Sequence, residues 1–204
     1  MRLHIEAERP NPRKIQPAID ALRRGQVIIY PTDTGYAFGC ALSSPKGIAA
    51  IRKLKGLDER SHKPLTMIVR ELAEVGRFGV MSNSHFRLIR RLLPGPYTLI
   101  LKAASDVPRS MYNRHHEVGI RMPGHVVCDL LVEELGEPLL TGSVTPYDDN
   151  LPELEEPEAY EQRYAREVAV VVDVGPVWPD PSTVLRLIDD EVELLRQGKG
   201  EYVP

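Results

Sequence analysis

Short apolar runs suited to strands alternate with amphipathic helical stretches along nearly the whole chain, and this alternation limits the fold more than any other feature. Arg13 to Arg24 carries Ile15, Ile19 and Leu22 at helical spacing, with Gly25 as a C-terminal stop. Val27 to Tyr30 follows as a short strand. Ser44 and Pro45 supply an N-cap and first helical position for a helix faced by Ile48, Ile51 and Leu54. Pro64 to Val69 reads as a buried strand, and Phe86, Ile89, Leu92 and Leu93 stripe a helix that Pro94-Gly95 ends. Strands are predicted over Tyr97 to Lys102 and Val118 to Met122, then a helix over Val126 to Leu135 closed by Gly136. Leu139 to Ser143 is a strand end, Pro157 to Arg166 a helix, and Val168 to Val174 a β-branched strand. Ser182 to Ile188 and Glu191 to Leu195 form a terminal strand pair around Asp189-Asp190. The order predicts one α/β domain over residues 1–204, with a large sheet made mixed by its adjacent late strands.

A chain of 204 residues, 42% apolar and 27% charged, has enough material for a sizeable buried core. Its net charge of −3 means that any nucleic-acid contact has to come from a local basic face. Cys40 and Cys128 lack metal-ligand spacing and fit a reducing compartment better than a disulfide framework. Residues Met1 to Glu6 have no apolar core of a secretion signal, and no apolar run approaches the ~20 residues of a membrane span. The expectation is a cytoplasmic protein without a membrane partner. Asp148 to Glu161, rich in Asp, Glu and Pro, is expected to be a solvated loop leading into a helix, or a flap.

Polar groups gather at four strand ends. Tyr30-Pro31-Thr32-Asp33-Thr34-Gly35 runs an apolar strand into a proline, two hydroxyls, a carboxylate and a glycine. Pro31 cannot donate to a ladder, so regular pairing is expected to stop there. The segment is either an Asx or hydroxyl-capped turn or a ligand site of the kind open α/β sheets place at strand ends. In Gly119-Ile120-Arg121-Met122-Pro123, a guanidinium at a strand end either holds a carboxylate or phosphate or anchors a structural ion pair. Thr141-Gly142-Ser143-Val144-Thr145 offers small hydroxyls and a glycine suited to phosphate or acyl groups, or to a plain polar turn, and Pro181-Ser182-Thr183-Val184 is a further polar strand end or simply a strand start. Lys55, in Arg52-Lys53-Leu54-Lys55, can neutralise phosphate or belong to a solvated face. Arg23-Arg24 and Arg87, Arg90 and Arg91 are basic patches that could touch RNA backbone, without interleaved aromatics for base stacking. A P-loop, a Rossmann glycine fingerprint and a nucleophile elbow are all absent, and His115-His116 is a poor metal pair. A metal is expected to arrive with a nucleotide rather than in a protein cage.

Taken together, these segments resemble the YrdC-like family. Pro31 to Gly39 is similar to its Pro-Thr-Glu/Asp-Thr-x-Tyr-Gly-Leu-Gly motif, and Lys63-Pro64-Leu65, Pro94 to Thr98, Val118 to Pro123 and Pro181 to Val184 resemble its later blocks in order. The resemblance covers about residues 13 to 198. It implies a YrdC-like domain, a twisted mixed sheet flanked by helices with a large concave cavity. It also implies synthesis of threonylcarbamoyl-AMP and pyrophosphate from L-threonine, bicarbonate and ATP with Mg²⁺, linked to tRNA modification. Binding of tRNA or double-stranded RNA is the alternative. By the same resemblance Thr32, Thr34, Arg121, Thr141 and Ser182 would bind the amino acid, with Arg121 on its carboxylate. Lys55, Arg60, Ser143, Thr145 and Arg196 would face the nucleotide, and Lys55, Arg121 and Ser143 would carry the chemistry. The chain departs from the pattern at three places: Leu57 stands where the family has arginine, Thr145 where it has asparagine, and Ile68 where it has histidine. These departures resemble the YciO-type branch.

Overall fold

The computed structural model describes residues 1–57, 63–144 and 155–203. Arg60 and Thr145, and most of the expected loop from Asp148, lie outside the described residues. The chain runs β1 (Arg2–His4), α1 (Pro12–Arg23), β2 (Val27–Thr32), β3 (Gly35–Ala41), α2 (Pro45–Leu54), β4 (Thr66–Ile68), α3 (Leu72–Phe78), β5 (Gly79–Val80) and α4 (Asn83–Leu92). It continues through β6 (Tyr97–Ala103), β7 (Glu117–Arg121), α5 (Val126–Leu135), β8 (Leu139–Ser143), α6 (Pro157–Arg163), β9 (Val168–Asp173), β10 (Thr183–Ile188) and β11 (Glu191–Arg196). The strands form one mixed sheet in the order β1-β9-β2-β3-β8-β4-β7-β6-β10-β11, with β5 paired to β6.

Local chemistry starts most helices where the sequence indicates. Asn11 caps α1 by accepting from Arg13 N, and Ser44 caps α2 by accepting from Gly47 N. Helices cover both faces of the sheet. On one face Ile48 and Ile51 of α2, Val75 and Phe78 of α3 and Ile89 of α4 pack with Phe38, Met67 and Ile120. On the other, Ile15, Ile19 and Leu22 of α1 and Val127 and Leu131 of α5 pack with Ile28, Tyr30 and Ile68. The β10–β11 hairpin turns through Asp189 and Asp190, both at positive φ, as a tight two-residue turn between twisted strands requires.

Several expectations need correction. Pro31 does not end pairing: β2 continues to Thr32, and Pro31 pairs with Tyr36 of β3. Tyr36 directs its N–H to Glu155 and accepts from Val144 on its carbonyl, both on the side away from β2. Pro31 therefore sits where the β2–β3 ladder asks for no donor, beyond the β9 pairing that ends at Ile29. The β3 strand itself was hidden by its glycines, and β1, α3 and β5 were not anticipated. In α4, Phe86 is 40% exposed and His85 is buried in its place, its Nε2 3.1 Å from the Glu191 carbonyl oxygen. The predicted strand from Pro64 shortens to Thr66–Ile68, because Leu65 N donates instead to Met111 O outside the ladder.

The sheet does not lie flat. Arg121 pairs with Ile68, Ile68 with Leu139, and Leu139 with Ala41, so Arg121 is in line with the far end of β3. In a flat sheet the β2–β3 tip would lie about 20 Å further along the strand and about 14 Å across it. Yet Arg121 Nη2 is 2.7 Å from Asp33 Oδ1 in that tip. The sheet must coil strongly, and the coiling builds the site described next.

Candidate amino-acid pocket

The hairpin tip organises itself first. Thr32 Oγ1 donates to Gly35 O at 2.7 Å and accepts from Thr34 N at 3.1 Å. Gly35 takes φ +121°, a conformation that other residues rarely adopt. Its position is also closed from the side, because a Cβ there would come within 2.8 Å of Glu155 Oε2. The tip is pinned from outside by Asp180 N, which donates to Thr34 O at 3.2 Å.

Arg121 ends β7 and reaches this tip. Its Nη2 donates to Asp33 Oδ1 at 2.7 Å and to Thr34 Oγ1 at 2.8 Å. Gly124 N donates to Asp33 Oδ2 at 3.2 Å. The ion pair is nearly enclosed, at 7% and 11% side-chain exposure. Arg121 Nε, also buried, has no hydrogen-bond partner among the described residues. A buried guanidinium N–H without a partner is costly.

Hydroxyls continue the cluster along the strand ends. Leu99 pairs with Ile120, so the next position on β6, Thr98, lies across from Arg121. Thr98 Oγ1 is 2.8 Å from Ser182 Oγ, and both residues are buried. Arg196 donates from Nε and Nη2 to Ser182 O at 3.0 and 2.7 Å, and from Nη2 to Ser182 Oγ at 3.1 Å. The structure thus joins Thr32, Thr34 and Arg121 directly, and gathers Ser182 and Arg196 through Thr98. Asp33 stood in the candidate strand-end segment without a role of its own, and Thr98 was not a sequence candidate. Asp33 could have been found from its place between two candidate threonines, whereas Thr98 is revealed only by register.

The remaining candidates sit elsewhere on the strands. Lys55 caps the C-terminus of α2, lays its chain over Gly142 and donates from Nζ to Ser143 O at 2.6 Å. Burial, then the neighbouring Lys63, holds its ammonium below the ordinary lysine range. Thr141 is buried, and its hydroxyl accepts from Tyr30 OH at 2.8 Å. At the positions that depart from the family pattern, Ile68 is buried core and Leu57 packs partly against the apolar layer. A cavity of about 650 Å³ opens at the β1 edge, lined by Arg2, His4, Lys14, Glu158 and Asp173 among others. Its polar groups pair with one another, with Arg2 3.3 Å from Glu158 and His4 Nδ1 3.0 Å from Asp173. Among the described residues no helix is long and apolar enough to cross a membrane, and no group of three or more His, Cys, Asp or Glu could hold a metal.

A coiled mixed sheet flanked by two helix layers, with a buried arginine and hydroxyls at its strand ends, places the chain in the mixed α/β class. The Sua5_yciO_yrdC family, described as telomere recombination, matches residues 20–198, and the chain belongs to that family. The YciO protein of Escherichia coli K12 is 32% identical over 202 residues, covering 98% of this chain and 97% of its own. The E. coli YciO crystal structure superposes with a TM-score of 0.90 at 31% identity, covering 98% of this chain and 97% of that one. The threonylcarbamoyl-AMP synthase of Bos taurus is 30% identical over 190 residues, 91% of this chain and 65% of the synthase. P. abyssi Sua5, solved in complex with L-threonine, shares the fold with a TM-score of 0.84 at 24% identity, over 97% of this chain and 57% of that one.

Proposed function

We propose that this protein binds an α-amino acid at Arg121 and acts as an ATP-dependent L-threonylcarbamoyl-adenylate synthase. The observation that carries the reading is the buried Arg121 Nε–H without a partner, set among Thr32, Thr34, Thr98 and Ser182. A carboxylate supplies the acceptor this donor lacks, and the hydroxyls can meet a hydroxylated side chain. Family membership alongside threonylcarbamoyl-AMP synthases supports the rest.

The threonine amine adds to carbon dioxide derived from bicarbonate, forming a C–N bond and releasing a proton. A carbamate oxygen then attacks the α-phosphorus of ATP, and the bond to pyrophosphate breaks. Alignment and charge stabilisation can supply most of the acceleration, so hydroxyls and cations suit this reaction better than a strong base. Arg121 orients the carboxylate. Lys55 and Arg196 are assigned to the phosphates, with Arg60, Ser143 and Thr145 expected near the nucleotide. Mg²⁺ would enter on the triphosphate and neutralise its charge. The product would feed a tRNA modification.

A second reading, an RNA-binding protein that keeps the cavity without the chemistry, draws on α4. Arg87, Arg90 and Arg91 lie exposed on a helix without acidic residues, and exposed Phe86 adds the aromatic that sequence reading placed in the core. The test is pyrophosphate release with ATP, Mg²⁺, bicarbonate and L-threonine, with the adenylate identified by chromatography. Threonine-dependent product that falls at least about tenfold in Arg121→Lys supports the synthase. That variant keeps a cation beside Asp33 while removing the Nε–H. Absence of product, with RNA retention abolished by Arg90→Glu and Arg91→Glu, supports the second reading.

A further inference from the structure

Arg121 alone does not make its pocket positive. Its charge is answered by Asp33 at 2.7 Å, and Gly124 N holds the other carboxylate oxygen in place. An incoming carboxylate would meet an ion pair close to neutral, with the Nε and Nη1 hydrogens left to offer. The C-terminal segment after β11 brings a second cation. Lys199 Nζ donates to the main-chain oxygen of Asp33 at 2.6 Å.

The backbone carrying Lys199 is fixed by independent anchors. Lys199 N donates to Pro181 O at 2.8 Å, and Gly198 N donates to Thr183 Oγ1 at 2.9 Å. Arg196 grips Ser182 just before it. Gly198 packs so closely that a Cβ there would collide with Pro181 O. The segment therefore follows the start of β10 at a set height and delivers the lysine to the hairpin tip. An ammonium has three donors, and the one hydrogen bond described for Lys199 leaves the exposed head able to turn to a ligand.

We infer that Lys199 is a second carboxylate-binding residue of the Arg121 pocket, restoring the net positive charge that Asp33 removes. The inference rests on the reading of this pocket as an amino-acid carboxylate site. Its range extends to any small carboxylate, since the recognition is of charge.

The test uses wild-type protein, Lys199→Met and Lys199→Arg, titrated with L-threonine and separately with sodium acetate. Affinity is read by calorimetry for threonine and by the arginine Nε–H resonances in ¹⁵N spectra for both probes. Lys199→Met is expected to weaken threonine binding by about fivefold at low salt, with the difference shrinking as salt rises. Lys199→Arg restores most of it, and unchanged melting temperatures separate this from a structural role. Threonine affinity equal in wild type and Lys199→Met overturns the inference while leaving the amino-acid reading intact. A wild type that ignores threonine defeats that reading, and acetate then decides. An acetate-induced shift of the Arg121 Nε–H that weakens in Lys199→Met upholds the second cation. An equal shift in both proteins, or none in wild type, overturns it.

Discussion

Arg121 is held between a structural debt and a functional opening. One edge of its guanidinium pairs with Asp33 and Thr34, and the Nε–H is left buried without an acceptor. The pair is enclosed enough that removing one member strands the other. Arg121→Met is expected to destabilise the protein by about 3 kcal/mol, because the Asp33 carboxylate loses its ion-pair partner. Adding Asp33→Asn should recover part of this, giving a coupling of about 1–3 kcal/mol in a double-mutant cycle read by urea unfolding. Additive losses would show that the two side chains do not depend on each other. Of this arrangement the sequence displays Arg121 as a strand-end guanidinium, with ligand binding and a structural ion pair as alternatives. The structure shows that it serves as an ion pair through Nη2, with donors on Nε and Nη1 to spare. That outcome depends on Asp33, whose role is invisible until β7 and the β2–β3 tip are seen to meet.

Among the elements, α5 carries a pH-sensitive start. His125 is its N-cap, and Nδ1 accepts from Val127 N at 3.2 Å, which requires that nitrogen to be unprotonated. Burial lowers the pKa of the imidazole, and nearby Asp33 only partly opposes this. Unfolded His125 titrates near its ordinary 6.5, above the folded value, so between the two the unfolded chain binds more protons. Stability is complete above that window and falls as pH drops through it. His125→Asn keeps a capping oxygen and removes the proton-binding site. Melting temperatures followed from about pH 7.5 to about pH 5 should therefore fall less in the variant than in wild type. Parallel curves would contradict this role for His125.

Most elements were legible because periodicity and caps agreed, as in α1 and the β10–β11 hairpin. The β3 strand was not, since Gly35 and Gly39 hide its pattern and Pro31 looks like a terminator. In α4 the phenyl of Phe86 outweighed His85 on hydrophobicity, whereas the fold buries His85 beneath the β10–β11 turn. Replacing that single stripe position moved an aromatic from the core to an arginine-rich surface, while Ile89 and Leu93 stay buried.

For the molecule as a whole, coiling of the sheet is what sequence could not supply. The class, strand alternation and mixed sheet follow from pattern, and the family resemblance agrees with the match over residues 20–198. Nothing local to Arg121 or Thr34 states that three strand spacings and most of β3 collapse into one hydrogen bond. That closure is distributed: Asp180 before β10, Gly124 after β7 and Lys199 after β11 each hold the hairpin tip. The same distribution explains why Ser182 and Arg196, expected on different substrates, share hydrogen bonds.

The central claim is that this closure makes an amino-acid carboxylate site at Arg121. Calorimetric titration of L-threonine into the wild type and Arg121→Lys tests it most directly. The account predicts saturable one-to-one binding in the wild type, weakened by about tenfold or more in a folded Arg121→Lys protein. Equal threonine affinity in the two proteins, or none in the wild type, would contradict it.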